Sequence, residues 1–228
     1  MSKISFAAIF DMDGTLLKTE EVAVPAFKKT FEKLTEEGSF RDKIPTDQEI
    51  TDVFGMTLEE IWNKLLPGQS EEIKKKADRM MLKYELEILK EGKTHLYSGV
   101  KETLEKLKEK NIPLFVASNG LDEYIRAVCE CFEMTELFQD LYSAGRFQTE
   151  SKDDLVAKLL KDHNIEDAVM VGDRKSDIQA GKANKLYTIG CAFGFSADGE
   201  LKEADKIIKD FADVLPIVEE RLARSKMG

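Results

Sequence analysis

Short apolar runs recur along the chain, separated by polar, turn-forming residues. Ile4 to Phe10, Ile112 to Ala117, Ala168 to Val171 and Leu186 to Gly190 are rich in β-branched or aromatic residues and do not alternate with charged ones. That is the pattern of a strand covered on both faces. Between these runs the period changes. Val100 to Lys110 places Val100, Leu104 and Leu107 on one helical face, and Asp153 to Asp162 does the same with Leu155, Leu159 and Leu160. Strand alternating with helix predicts an α/β fold built on a doubly wound parallel sheet.

One stretch departs from this rhythm. Val22 to Glu91 is helical in pattern throughout and contains no convincing strand. Thr46-Asp47-Gln48-Glu49 and Thr57-Leu58-Glu59-Glu60 fit the capping box, in which the Thr side chain and the Glu three residues later satisfy free amides at a helix start. Ser70 is placed to cap a long helix through Glu91, with Gly92 at its C-terminal end. The expected organisation is a core domain made of residues 1–17 and 96–228, with an all-helical domain, residues 18–95, inserted after the first strand.

Composition narrows the function. With 228 residues, 42% hydrophobic and 34% charged, the chain suits a soluble globular protein that buries a real core. A net charge of −10 disfavours nucleic acid or an anionic membrane as the main partner, although a local pocket can still oppose the global sign and take a small anion. No apolar run approaches the ~20 residues of a membrane helix, and no cleavage-site pattern follows the first run, so a cytoplasmic protein is expected. Cys129, Cys131 and Cys191 have neither zinc-site nor redox-pair spacing and read as reduced packing residues.

The chemistry concentrates at the ends of the apolar runs. The first runs into Asp11 and Asp13, the second into Ser118-Asn119-Gly120, and the third into Gly172-Asp173 with Asp177 shortly after. Lys152 opens the helix before the third run. In an open parallel sheet, ligands bind beyond the carboxyl ends of the strands, so four acids, a hydroxyl and a cation are available to one edge. Residues at i and i+2 of extended chain project the same way, and two carboxylates desolvated together call for a compensating cation.

Asp11-Met12-Asp13-Gly14-Thr15, then Ser118, then Lys152, then Gly172-Asp173-Arg174-Lys175-Ser176-Asp177 are, in order, counterparts of the four motifs of the haloacid dehalogenase superfamily. The chain resembles the branch of that superfamily with a helical cap inserted after the first strand, over nearly its whole length. The resemblance implies a Rossmann-like core and a phosphatase that works through an aspartyl-phosphate. It implies Asp11 as nucleophile, Asp13 as acid and base, and Ser118, Asn119, Gly120 and Lys152 as phosphoryl-binding groups. It also implies magnesium held by Asp11, the Asp13 carbonyl and Asp173, with Asp177 in the outer shell or bridged by water. A carboxylate attacking phosphorus splits one hard hydrolysis into two displacements. The expected substrate is a small phosphorylated metabolite, such as phosphoglycolate, a nucleotide or a sugar phosphate, handled by a monomer or weak homodimer. Gly172 to Gly181 and Gly194 to Asp205 resemble phosphoglycolate phosphatases and nucleotide or pyrophosphate hydrolases of this branch.

Rival readings fit less well. An EF-hand also begins Asp-x-Asp, but its sixth and twelfth positions, Gly and Glu, are here Leu16 and Val22. A phospho-accepting receiver domain has no place for the helical insertion. Dehalogenases of the superfamily lack the second acid, whereas Asp13 is present. A mutase of the β-phosphoglucomutase kind often carries an Arg three residues after a cap glycine, and counting from Gly55 gives Leu58; it stands as the alternative together with a pyrophosphatase. Where many relatives have an Asp-Ser pair, this chain has Lys18-Thr19-Glu20. His95 and His163 read as structural or surface histidines, and Trp62 and Met80-Met81 as packing.

Overall fold

A computed structural model describes residues 3–225. Along the chain, strand β1 (Ala7–Phe10) is followed by four helices, α1 (Glu20–Glu36), α2 (Asp47–Thr51), α3 (Leu58–Leu65) and α4 (Glu71–Lys90). Helix α5 (Val100–Glu109) leads to β2 (Leu114–Ser118), α6 (Asp122–Cys131) and β3 (Asp140–Ser143). Then come α7 (Ala144–Phe147), α8 (Lys152–Asp162), β4 (Ala168–Gly172), α9 (Lys175–Ala183), β5 (Tyr187–Cys191), β6 (Lys206–Ile208) and α10 (Val214–Ser225). The chain divides into two compact units, residues 1–17 with 96–228, and residues 18–95. None of the described helices is long and apolar enough to cross a membrane.

The first unit is a six-stranded parallel sheet in the order β3-β2-β1-β4-β5-β6. Strand order reverses at β1, which pairs with β2 on one side and β4 on the other, and this places the ligand crevice beyond the ends of β1 and β4. The continuous apolar runs have a plain cause, since every residue of β1, β2 and β4 is buried. On one face Ile9, Phe115 and Met170 pack under Leu155, Val156 and Leu159 of α8 and Ala180 of α9. On the other, the ring of Phe10 meets that of Phe211 at 6.0 Å.

Two strands escape the sequence pattern. Asp140-Leu141-Tyr142-Ser143 and Lys206-Ile207-Ile208 are the sheet edges, short and partly polar, so neither presents the apolar run of a central strand. Boundaries shift as well. The expected strand from Ile4 begins only at Ala7, because Ser5 is exposed and Ile4 makes a lone bridge to Ile165. The one from Ile112 begins at Leu114, after Asn111 has turned at φ 58° and Pro113 has withheld a backbone donor. Leu186 stays outside β5, which runs on to Cys191.

In the second unit, both capping boxes form. Thr46 Oγ1 accepts the Glu49 N–H while Glu49 accepts the Thr46 N–H, and Thr57 and Glu60 repeat the exchange. Ser70 caps α4, and Gly92 follows that helix at φ 67°. The core of this unit holds an aromatic cluster among aliphatic side chains. Trp62 packs on Phe27 at 5.4 Å and on Phe31 at 6.4 Å, and its indole N–H donates to Asp78 at 3.1 Å. Helix α1 begins at Glu20, slightly before its expected start, and holds Pro25 within it.

Cys129 and Cys191 are buried and unpaired, and burial pushes the Cys129 thiol up to about 12. Cys131 is exposed, so it is not the packing residue expected from its spacing; it lies at the last position of α6, outside the buried face formed by Tyr124, Ile125, Val128 and Cys129.

Candidate active site

The ladder between β1 and β4 continues one step past β1, as the Asp11 N–H donates to the Val171 carbonyl at 2.9 Å. Asp11 therefore leaves the sheet at the edge where β4 delivers Gly172 and Asp173. The next turn is tight, with the Leu16 and Leu17 amides both on the Met12 carbonyl and the Gly14 amide on Leu17. Gly14 makes this turn at φ 79°, and a Cβ there would overlap the Asp173 carboxylate and the Phe195 ring. Met12 points into the core while Asp11, 4% exposed, lies at the edge and Asp13 is only half-buried.

Asp11, Asp173 and Asp177 offer carboxylate oxygens that all lie within 4.8 Å of one another. Asp173 and Asp177 are fully buried. Gly172 makes room for this, because a Cβ there would overlap the Asp177 side chain that folds back over it. The Asp177 carboxylate then accepts the Arg174 N–H at 2.8 Å at the start of α9. Asp173 is held on both oxygens, by Thr15 Oγ1 at 3.3 Å and by the Phe195 N–H at 2.6 Å.

Lys152, at the first position of α8 and 6% exposed, hydrogen-bonds Asp11 at 2.5 Å and forms an ion pair with Asp177. Burial alone would lower its pKa, but the attraction of Asp11 and Asp177 outweighs it and the ammonium stays charged. Burial raises Asp11 well above the usual carboxylate range against the pull of Lys152. Burial, then the neighbouring Asp177, pushes Asp173 up to about 7. One ammonium cannot balance three buried carboxylates, and their oxygens are the donor type that hard divalent cations prefer. The residues present thus fit a magnesium-type ion.

Ser118 ends β2, buried, and its Oγ accepts the Gly120 N–H at 3.1 Å, which leaves the hydroxyl proton to donate. Asn119 and Gly120 form the turn into α6. Asp13 accepts a hydrogen bond from the hydroxyl of Tyr124 at 2.9 Å. Three groups here were not legible as site residues: Tyr124, Thr15 and the backbone of Phe195. A tyrosine at helical spacing looks like core, a threonine after Asp-Gly looks like turn chemistry, and a backbone N–H leaves no trace in sequence. His95 bonds Glu21 at an exposed position, and His163 faces Asp140, each apart from the carboxylate cluster.

The family of haloacid dehalogenase-like hydrolases matches residues 8–191. A pyrophosphatase PpaX of Listeria monocytogenes is 26% identical over 215 residues, covering 92% of this chain and 94% of that protein. A phosphoglycolate phosphatase of Photobacterium profundum is 27% identical over 228 residues, covering 94% and 96%. Among solved structures, CbbY of Rhodobacter sphaeroides in complex with phosphate superimposes with a TM-score of 0.80 at 24% identity, covering 92% of this chain and 96% of that one. A β-phosphoglucomutase of Clostridium difficile does so with a TM-score of 0.79 at 17% identity, covering 99% and 100%. At such identities the solved structures speak for the fold.

Proposed function

Because the chain belongs to the haloacid dehalogenase-like hydrolases, we propose that it is a magnesium-dependent phosphatase acting on a small phosphomonoester through an aspartyl-phosphate on Asp11. The observation that carries this reading is the buried contact of Lys152 with Asp11 at 2.5 Å, at the edge where Asp13 follows two residues on. A carboxylate held beside a fixed cation is positioned for attack, and the same cation offsets the charge of an incoming phosphoryl group.

In the first step an Asp11 oxygen bonds to phosphorus, the ester P–O bond breaks, and Asp13 gives its proton to the departing oxygen. In the second a water oxygen bonds to phosphorus, its proton passes to Asp13, and the bond from phosphorus to Asp11 breaks, releasing phosphate. Ser118 donates its hydroxyl proton to a phosphoryl oxygen, assisted by the Asn119 N–H and the turn at Gly120. Magnesium would be held by Asp11, Asp173 and the Asp13 carbonyl, with Asp177 in the outer shell or bridged by water, and would supply positive charge against the phosphoryl group.

The relatives' names include a pyrophosphatase and a phosphoglycolate phosphatase, so the substrate class is a small phosphorylated metabolite. The helical unit, residues 18–95, is the part we assign to choosing among such metabolites, as a cap. The test is a panel of phosphoglycolate, sugar phosphates, nucleoside monophosphates and pyrophosphate, assayed with magnesium and with excess chelator. Phosphate release from at least one ester, lost in chelator and in Asp11→Asn, is expected. Full activity in chelator would contradict the reading.

A further inference from the structure

Tyr124 sits in the first turn of α6, just after the Ser118-Asn119-Gly120 turn, and is 4% exposed. Its ring lies against Gly120. A buried phenol needs a partner for its hydroxyl, and here the partner is Asp13, 111 residues away in sequence and 2.9 Å away in space. Helix α6 thus reaches from the turn that carries Ser118 to the acid of the first loop.

From this contact we infer that Tyr124 is a positioning residue for Asp13, its hydroxyl fixing the rotation of the carboxyl group that exchanges a proton with the leaving oxygen. The inference rests on the phosphatase reading of Asp13. A carboxyl on the end of a loop rotates about its terminal torsion, which is broad and weakly restrained. A hydrogen bond to one oxygen restrains it, and an acid must be held in reach of its target to transfer a proton in the transition state. A phenylalanine would fill the same space, so packing alone does not account for the hydroxyl.

The test compares Tyr124→Phe, Asp13→Asn and the double variant on a series of phosphate esters running from alkyl to p-nitrophenyl, with thermal melting as the check on folding. Since only a hydroxyl is removed and the ring stays, Tyr124→Phe should melt close to wild type. Its first-turnover rate, which reports cleavage of the ester alone, should fall about tenfold or more on alkyl esters, a fraction of what a general acid contributes, and much less on p-nitrophenyl phosphate, whose leaving group departs without a proton. In the Asp13→Asn background the second substitution should add little, because the group it positions is gone. An equal loss on all esters, a normal alkyl rate, or a fully additive double variant would overturn the inference while leaving the phosphatase reading intact. If Asp13→Asn itself showed no preference for good leaving groups in the first turnover, the reading of Asp13 would fail, and the inference with it.

Discussion

An ammonium buried between two carboxylates has given up its hydration and is held by their charge and by its hydrogen bond to Asp11, so its removal is felt twice. Lys152→Ala would leave Asp11 and Asp177 buried without their cation, a change that costs about 3–5 kcal/mol where one partner of a buried pair is deleted. We expect a large drop in melting temperature in chelator, partly restored by magnesium, and no phosphatase activity in either case. At Gly172 the constraint is steric instead. Gly172→Ala forces its Cβ onto Asp177, and since that contact is close to backbone on both sides it cannot be relieved by a rotamer change. Overpacking of this kind costs about 1–3 kcal/mol, and the displaced Asp177 should weaken magnesium binding in calorimetry as well as activity.

Edge strands depend on side chains more than central ones do, because they pair on one side alone. Asp205, immediately before β6, accepts the Thr188 N–H and hydroxyl at 2.8 Å each and bonds Lys182 at 2.5 Å, tying β6 to β5 and α9. Burial pushes its pKa up, but the hydrogen bonds from Lys182 and Thr188 together outweigh it and the value is lowered. A lowered folded pKa means stability that is present above the unfolded value, about 3.9, and lost as the pH falls through the folded one. Asp205→Asn should therefore be less stable than wild type at neutral pH, by about 1 kcal/mol for a part-exposed charge-assisted bond. Chemical denaturation should show the difference shrinking below about pH 4; a constant gap would contradict the assignment. The same edges explain what the amino-acid pattern failed to reveal. β1, β2, β4 and β5 announce themselves because both their faces are covered, whereas β3 and β6 start on charged residues, the half-buried Asp140 and the exposed Lys206. The helix starts at Thr46, Thr57 and Ser70 were legible because capping is local chemistry, written within four residues.

Over the whole molecule, the doubly wound sheet turns sequence separation into proximity. Asp11, Lys152, Asp173 and Asp177 meet because β1 and β4 are neighbours and α8 starts at the same sheet edge. Their juxtaposition was readable from polar residues placed at the ends of apolar runs. Tyr124, Thr15 and the Phe195 amide were not, since their part depends on how a helix and two loops fold over that edge. If the helical unit chooses the substrate, replacing residues 22–91 with the equivalent segment of a relative should change the preferred ester and keep the magnesium requirement. An unchanged profile in a folded chimera would place selection elsewhere.

The central claim, that Asp11 takes the phosphoryl group and Asp13 handles the proton, is tested most directly by mixing Asp13→Asn with p-nitrophenyl phosphate and magnesium and following nitrophenol in the first turnover. The leaving group needs no proton, so the first step survives, while the second lacks its base. A burst approaching one equivalent is expected, followed by slow turnover, with the phosphoryl group found on Asp11 by mass spectrometry after an acid quench. The same burst from Asp11→Asn, or a phosphoryl group on any other residue, would contradict the account.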